Sequence, residues 1–424
     1  MKKIHAALAV LAITLPIFLS TTGASADTRS SKKEVARQLD IFNSLVKEMQ
    51  MYYVDSIDIE KAINTAISSM LDELDPYTEY MPKKATEEFR SMTTGEYGGI
   101  GSYIHATPKG VVLAGPQEGS PAAEAGLRYG DLLLTINGDT VTGLSTEKVS
   151  ELLQGTPGTS INVKVLRPYV TDSIVETVVT RRKIRMPSVL YSGMLPNSIG
   201  YITLSSFTDK SADEVKEALI ALKKENHLKG LILDLRSNPG GSMEDAIEIV
   251  GLFVPKGTAV VTTKGKGVLN EKIYKTANQP VAPDLPLAVL VDGSSASSSE
   301  LTAGAIQDLD RGVIIGNRSF GKGLVQTTRS LPYEGLLKVT VAKYYIPSGR
   351  LIQAIDYSHR NPDGTVSRVP DSLTNVFHTA GGREVRDGGG ITPDITVEYP
   401  EVSRLAYNIV RGDWASDFAT RYAA

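Results

Sequence analysis

Three short segments hold the residues best suited to covalent chemistry. The first, Asp292-Gly293-Ser294-Ser295-Ala296-Ser297-Ser298-Ser299-Glu300, lies between an apolar run, 287–291, and a helical pattern over about 298–309. Amides at a helix start point outward and favour negative charge, so a serine there stands beside donors able to hold an oxyanion. Taken alone, the segment fits a Ser-rich helix cap better. The second, Ser319-Phe320-Gly321-Lys322-Gly323-Leu324-Val325-Gln326, places a lysine between glycines in apolar surroundings. A lysine can act as a base only when neutral, and its ordinary pKa is about 10.4. Bringing it to about 7–8 takes roughly 4 kcal/mol of differential interaction, which burial can supply. Taken alone, the segment fits a solvated lysine in a glycine loop better. Gln326 is an even step from Lys322, so in a strand both face one way and its amide oxygen can orient the amine. The third, Asp234-Leu235-Arg236-Ser237-Asn238-Pro239-Gly240-Gly241, ends in paired glycines that let backbone amides approach a ligand, as a second donor beside the Ser298 amide. An ordinary strand-to-helix turn is its alternative.

Other chemistries find little support. The chain has no cysteine, which excludes disulfides, thiolate catalysis, Cys-based zinc sites and a lipidated-cysteine anchor. Beyond His5, the histidines His105, His227, His359 and His378 show neither metal-ligand spacing nor a glycine-framed serine beside them, so no metal and no cofactor is expected. With 45 basic and 48 acidic residues, nothing suggests a nucleic-acid partner.

The elements that position these residues follow from periodicity. Lys2 and Lys3, the apolar run 6–19 and Ala24-Ser25-Ala26 have the form of an export leader cleaved before Asp27. The run is shorter than the roughly 20 residues a membrane span needs, so no anchor is expected after cleavage. The protein is therefore expected to be exported, to a periplasmic or other extracytoplasmic space. Residues 32–50 and about 58–74 read as amphipathic helices, the second stopped before Pro76. Their apolar faces need a partner, and a homodimer through these terminal helices is expected. Residues 95–183 form a small β-rich domain with one helix, Thr146 to Gln154, and a hairpin turn at Asn137-Gly138. From about 184 to 400, apolar runs at 230–235, 287–291 and 312–316 alternate with helices, which argues for a layered α/β core. A polar stretch, 357–390, reads as an exposed excursion, and 401–424 as a C-terminal tail. The fold class is thus α/β (α+β) and multidomain.

In order and spacing, the three segments resemble the C-terminal processing peptidases, or tail-specific proteases. That family shows an Asn-x-Gly-Gly loop, a Ser-Ala-Ser-Ala-Ser-Glu segment, and Gly-Lys-Gly with a Gln four residues after the Lys. The resemblance implies Ser297 as nucleophile, Lys322 as base 25 residues later, Gln326 as the residue orienting it, and Gly241, with Gly240 the next choice, in the oxyanion loop. This chain departs from the family in its crowded serines, which makes Ser295 and Ser298 the next choices for nucleophile. Tyr97-Gly98-Gly99-Ile100-Gly101 resembles the carboxylate-binding loop of a PDZ domain, as 119–131 resembles its centre. Leu74 to Tyr80, Tyr344 to Arg350 and Gly390 to Asp394 also match the family. The resemblance implies a crotonase-like layered core and protein or peptide substrates held by their C-terminal tails. An extended tail adding to a sheet edge would have its carboxylate held near Gly98, Gly99, Ile100 and Gly101. Val149, Leu152 and Leu153 would form the far wall of the groove, or else belong to the domain core. A binding or adaptor protein with an inert protease-like core is the alternative function. An acyl-CoA enzyme of the crotonase kind is a weaker one, given the expected export and the PDZ-like insert.

Overall fold

Asn137 and Gly138 both take positive φ, 52° and 88°, the backbone a tight hairpin needs. The hairpin they close joins Leu132–Ile136 to Asp139–Thr140. It belongs to a computed structural model that describes residues 23–170, 173–224, 227–267, 270–361, 365–398 and 402–423. Residues 1–22, most of the expected leader, lie outside the described residues. Among those described, no helix is long and apolar enough to cross a membrane.

The described chain divides into two compact units, one ending at Met70 and one starting at Leu71. The first holds the helix Gly23–Tyr52 and most of the helix Ile59–Asp72. Val35, Leu39, Phe42 and Leu45, on the helical spacing read from the sequence, are exposed.

The second unit contains two cores. In the β-rich part, Ser102–Thr107, Gly110–Pro116, Leu132–Ile136, Ser160–Arg167 and Ser173–Thr180 form one sheet in that order. The helix Thr146–Leu153 contributes Val149 and Leu153 to its core, with Leu133, Ile161 and Val163. The larger core surrounds a six-stranded sheet in the order Val189–Leu195, Ile199–Leu204, Gly230–Asp234, Leu287–Val291, Val313–Gly316, Ile395–Thr396. Only its first pairing is antiparallel. Its central strands are apolar but for Asp234 at the end of one, because helices cover the sheet. Those helices are Ser211–Lys224, Met243–Gly251 and Ser298–Asp308.

A second sheet of Glu79–Met81, Leu336–Tyr345, Ala259–Gly265 and Glu271–Lys275, with Leu324–Ser330 paired to Leu336–Tyr345, was not evident from the sequence. Asp75 starts the segment entering it. Its buried carboxylate accepts the Tyr77 and Thr78 amides at 2.8 and 2.9 Å. Two stretches carry more structure than the sequence reading described. The described residues of 357–390, read as an exposed excursion, are mostly exposed. They include the hairpins Ile355–Arg360/Val366–Arg368 and Val376–His378/Glu384–Arg386, and Thr379 and Val385 are buried. The C-terminal residues are helical, Arg404–Arg411 and Trp414–Ala423. They meet the β-rich domain, where Asp413 pairs with His105 at 3.1 Å and Tyr129 bonds Ser416 at 2.7 Å.

Candidate active site

The serine turn follows the buried strand Leu287–Val291. Asp292 Oδ1 accepts the amides of Ser294 and Ser295 at 2.9 and 3.0 Å and folds the chain back. Ser295 Oγ donates to the Leu235 carbonyl at 2.7 Å, Ser298 Oγ to that of Gly241 at 2.9 Å, and Ser299 Oγ to that of Asn238 at 2.9 Å. Three of the crowded serines therefore rivet this turn to the glycine loop, and Ser294 is exposed. Ser297 is half-buried, and no other side chain takes its hydroxyl among the described residues. It stands at the helix start with φ 54° and ψ −113°, a left-handed backbone rare for a residue with a Cβ and typical of strained functional turns.

In the glycine loop, buried Asn238 donates to the Leu204 carbonyl at 2.8 Å and accepts the Gly240 amide at 2.9 Å. At Gly240, with φ 96°, a Cβ would lie 2.8 Å from both Ser297 Cβ and Ser298 N. At Gly241 a Cβ would lie 2.1 Å from the Phe207 carbonyl oxygen. The Gly241 and Ser298 amides make no hydrogen bond among the described residues. Both are therefore open donors beside Ser297.

One carboxylate joins the lysine loop to the serine turn. Fully buried Glu300 accepts Ser319 Oγ at 2.5 Å and the amides of Gly321, Lys322 and Ser297 at 2.7, 2.8 and 2.9 Å. Burial raises the pKa of this carboxyl, and the four donors pull it back. A second tie is the buried Tyr344 hydroxyl, 2.9 Å from the Lys322 carbonyl oxygen and 3.0 Å from that of Ser297. From the other side, Gln353 Oε1 accepts the Gly323 amide at 2.7 Å. The flanking glycines are needed because a Cβ at Gly321 would meet that of Ala354 at 2.3 Å.

The lysine side chain is half-buried. Its Nζ lies 4.3 Å from the centre of the Tyr77 ring and has no hydrogen bond or ion pair among the described residues. Burial, assisted by Lys338 and opposed by Asp75, Glu300 and Glu79, lowers its pKa to about 8. The Ser297–Lys322 hydrogen bond is thus not made in this state. No Lys322–Gln326 hydrogen bond is made among the described residues either, while Gln326 Nε2 donates to Thr340 Oγ1 at 3.1 Å. The even-step rule does not apply here, because the strand starts at Leu324 and Lys322 belongs to the loop before it.

At the carboxylate-loop motif, Glu96–Gly99 pairs antiparallel with Arg182–Arg185. Gly98 accepts the Gly155 amide at 3.0 Å, and a Cβ there would strike that residue's carbonyl. Ile100 is buried, its carbonyl accepting the Ala122 amide, and Gly101 turns with φ 72°. Val149 and Leu153 are core residues and Leu152 is half-buried, so this state leaves the first two no open face for a ligand.

Sequence reasoning missed Tyr77, Tyr344 and Gln353, and treated Glu300 only as a landmark for spacing. A capping-box glutamate three residues into a helix was the one signal available for Glu300.

The profile of Peptidase family S41 matches residues 198–366, and a PDZ domain profile matches residues 112–167. The class is therefore a serine peptidase that carries a PDZ domain. A carboxy-terminal-processing protease of Bartonella bacilliformis is 33% identical over 377 residues, 87% of this chain and 85% of its own length. A probable CtpA-like serine protease of Staphylococcus haemolyticus is 33% identical, over 95% of this chain and 79% of its own. Among solved structures, a photosystem II D1 C-terminal processing protease matches 88% of this chain and 91% of its own, at 28% identity and a TM-score of 0.43. The chain belongs to the carboxy-terminal-processing protease family.

Proposed function

We propose that this protein is an exported serine endopeptidase that cleaves proteins selected by their C-terminal tails. In this reading the tail is held at the PDZ loop Gly98–Gly101. Neutral Lys322, oriented by Gln326, takes the Ser297 proton. Ser297 Oγ attacks the scissile carbonyl, and the amides of Gly241 and Ser298 hold the oxyanion. The departing amine takes the proton back, and water hydrolyses the acyl-enzyme. The observation that carries the reading is the double tie, Glu300 and Tyr344, between the backbones of Ser297 and a desolvated Lys322. The exposed apolar positions Val35, Leu39 and Phe42 support pairing of two copies through the terminal helices, and the leader pattern supports export.

The test is mass spectrometry of fragments from an unfolded protein with an apolar C-terminus, given with a free and with an amidated terminus. Wild type is expected to cut the free-ended form faster. Ser297→Ala and Lys322→Ala are expected to leave both intact, and full cleavage by either variant refutes the assignment. The unmade Ser297–Lys322 bond favours a second reading, an adaptor with an inert core. Covalent labelling of Ser297 by a serine-directed phosphonate would exclude it.

A further inference from the structure

The backbones of Ser297 and Lys322 are fixed together, yet the lysine amine is engaged elsewhere. Tyr344 and Glu300 fasten the backbones of the two loops to each other and leave the lysine side chain unfastened. The remaining freedom is rotation of the Lys322 side chain about its four-carbon stem. What that stem meets now is the face of Tyr77, with Nζ 4.3 Å from the ring centre. A ring face attracts an ammonium and not a neutral amine.

Tyr77 is itself held firmly. Asp75 accepts its amide at 2.8 Å, its hydroxyl lies 3.3 Å from that of Tyr357, and the two rings meet edge to face at 5.9 Å. Its segment continues through the edge strand Glu79–Met81 and the helix Lys83–Thr94 into Glu96–Gly99 of the PDZ domain.

We propose that Tyr77 is a positioning residue that parks the Lys322 ammonium on its ring, away from Ser297, in a site whose backbone is already assembled. The inference rests on the Ser297–Lys322 assignment above. Engagement then requires the amine to lose its proton or the ring to withdraw. The groups facing the amine are Lys338 on the strand Leu336–Tyr345, Asp75 and Glu79 on the entering segment, and Glu300 on the helix Ser298–Asp308. The three carboxylates favour the parked ammonium and Lys338 opposes it.

The experiment is the pH dependence of Ser297 labelling by a fluorophosphonate, with melting temperature followed in parallel. Tyr77→Leu keeps apolar cover over the amine and removes the ring face. Its labelling midpoint is expected about one pH unit lower, with labelling at pH 7 roughly fivefold faster. Tyr77→Phe, which keeps the ring, is expected to restore the higher midpoint. If the leucine variant does not fold, Tyr77→Trp carries the test, with a midpoint shifted upward and labelling about twofold slower. A folded leucine variant whose midpoint is unmoved or higher overturns the parking role, as does a tryptophan midpoint unmoved or lower. Labelling that survives in Ser297→Ala would instead overturn the catalytic assignment beneath it.

Discussion

Replacing Lys322 by methionine should stabilise this protein while abolishing its chemistry. Burial, assisted by Lys338 and opposed by three carboxylates, lowers the amine from its ordinary 10.5 to about 8. At about 1.36 kcal/mol per unit, that is about 3 kcal/mol set against the buried ammonium at neutral pH. The Tyr77 ring face returns about 0.5–2 kcal/mol of this to the charged form. Methionine fills a similar volume and has no charge to desolvate, so a net gain of about 1–3 kcal/mol is expected at pH 7. The sign with pH follows from proton counting. Between the folded and unfolded values the unfolded chain binds more protons, so wild-type stability rises with pH across that window. The advantage of the variant is therefore greatest below about pH 8 and nearly gone once pH passes the ordinary 10.5, as the unfolded lysine also loses its proton. Denaturant unfolding followed by circular dichroism at pH 7 and pH 10.5 measures the gap, and phosphonate labelling of Ser297 tracks the chemistry. A variant less stable than wild type at pH 7, or a gap that does not change with pH, would refute the desolvation argument.

Gly240→Ala would place a methyl 2.7 Å from the Ala296 carbonyl oxygen and 2.8 Å from Ser297 Cβ. With left-handed strain of about 1–3 kcal/mol added, it should displace the serine turn and slow Ser297 labelling by about a hundredfold. Unchanged labelling in a folded variant would show that this contact does not set the turn. Glu300→Gln puts an NH2 group where two N–H or O–H donors already point, with an expected loss of about 3 kcal/mol at neutral pH. Because burial raises the wild-type carboxyl, the native state keeps its proton longer than the unfolded chain. Wild-type stability therefore falls as pH climbs through that range, and the glutamine variant should lack this slope in urea titrations across acidic to neutral pH.

The strands and helices of the layered core were legible because their apolar runs are short, continuous and bounded by turn residues. Leu287–Val291 and Val313–Gly316 fall within a residue of the positions read from periodicity. The second sheet was not legible. Leu336–Tyr345 and Glu271–Lys275 alternate polar and apolar residues too weakly to stand out, and their pairing joins segments far apart in the chain. At the site, the glycines and the serine turn announced themselves through backbone demands. Tyr344 and Tyr77 did not, because an aromatic residue carries no local mark of which distant carbonyl or amine it will meet. The parity argument for Gln326 was weak for a related reason. A parity rule holds only inside a strand, and Lys322 lies outside one.

The shared Tyr344 hydroxyl also bears on how the protein could be inhibited. A pin through two carbonyls lets the serine loop and the lysine loop travel together and resists their separation. A small electrophile is therefore poorly placed to wedge between them. Its open approach is over Gly241, which is exposed, where an inhibitor's developing negative charge would meet free backbone donors first.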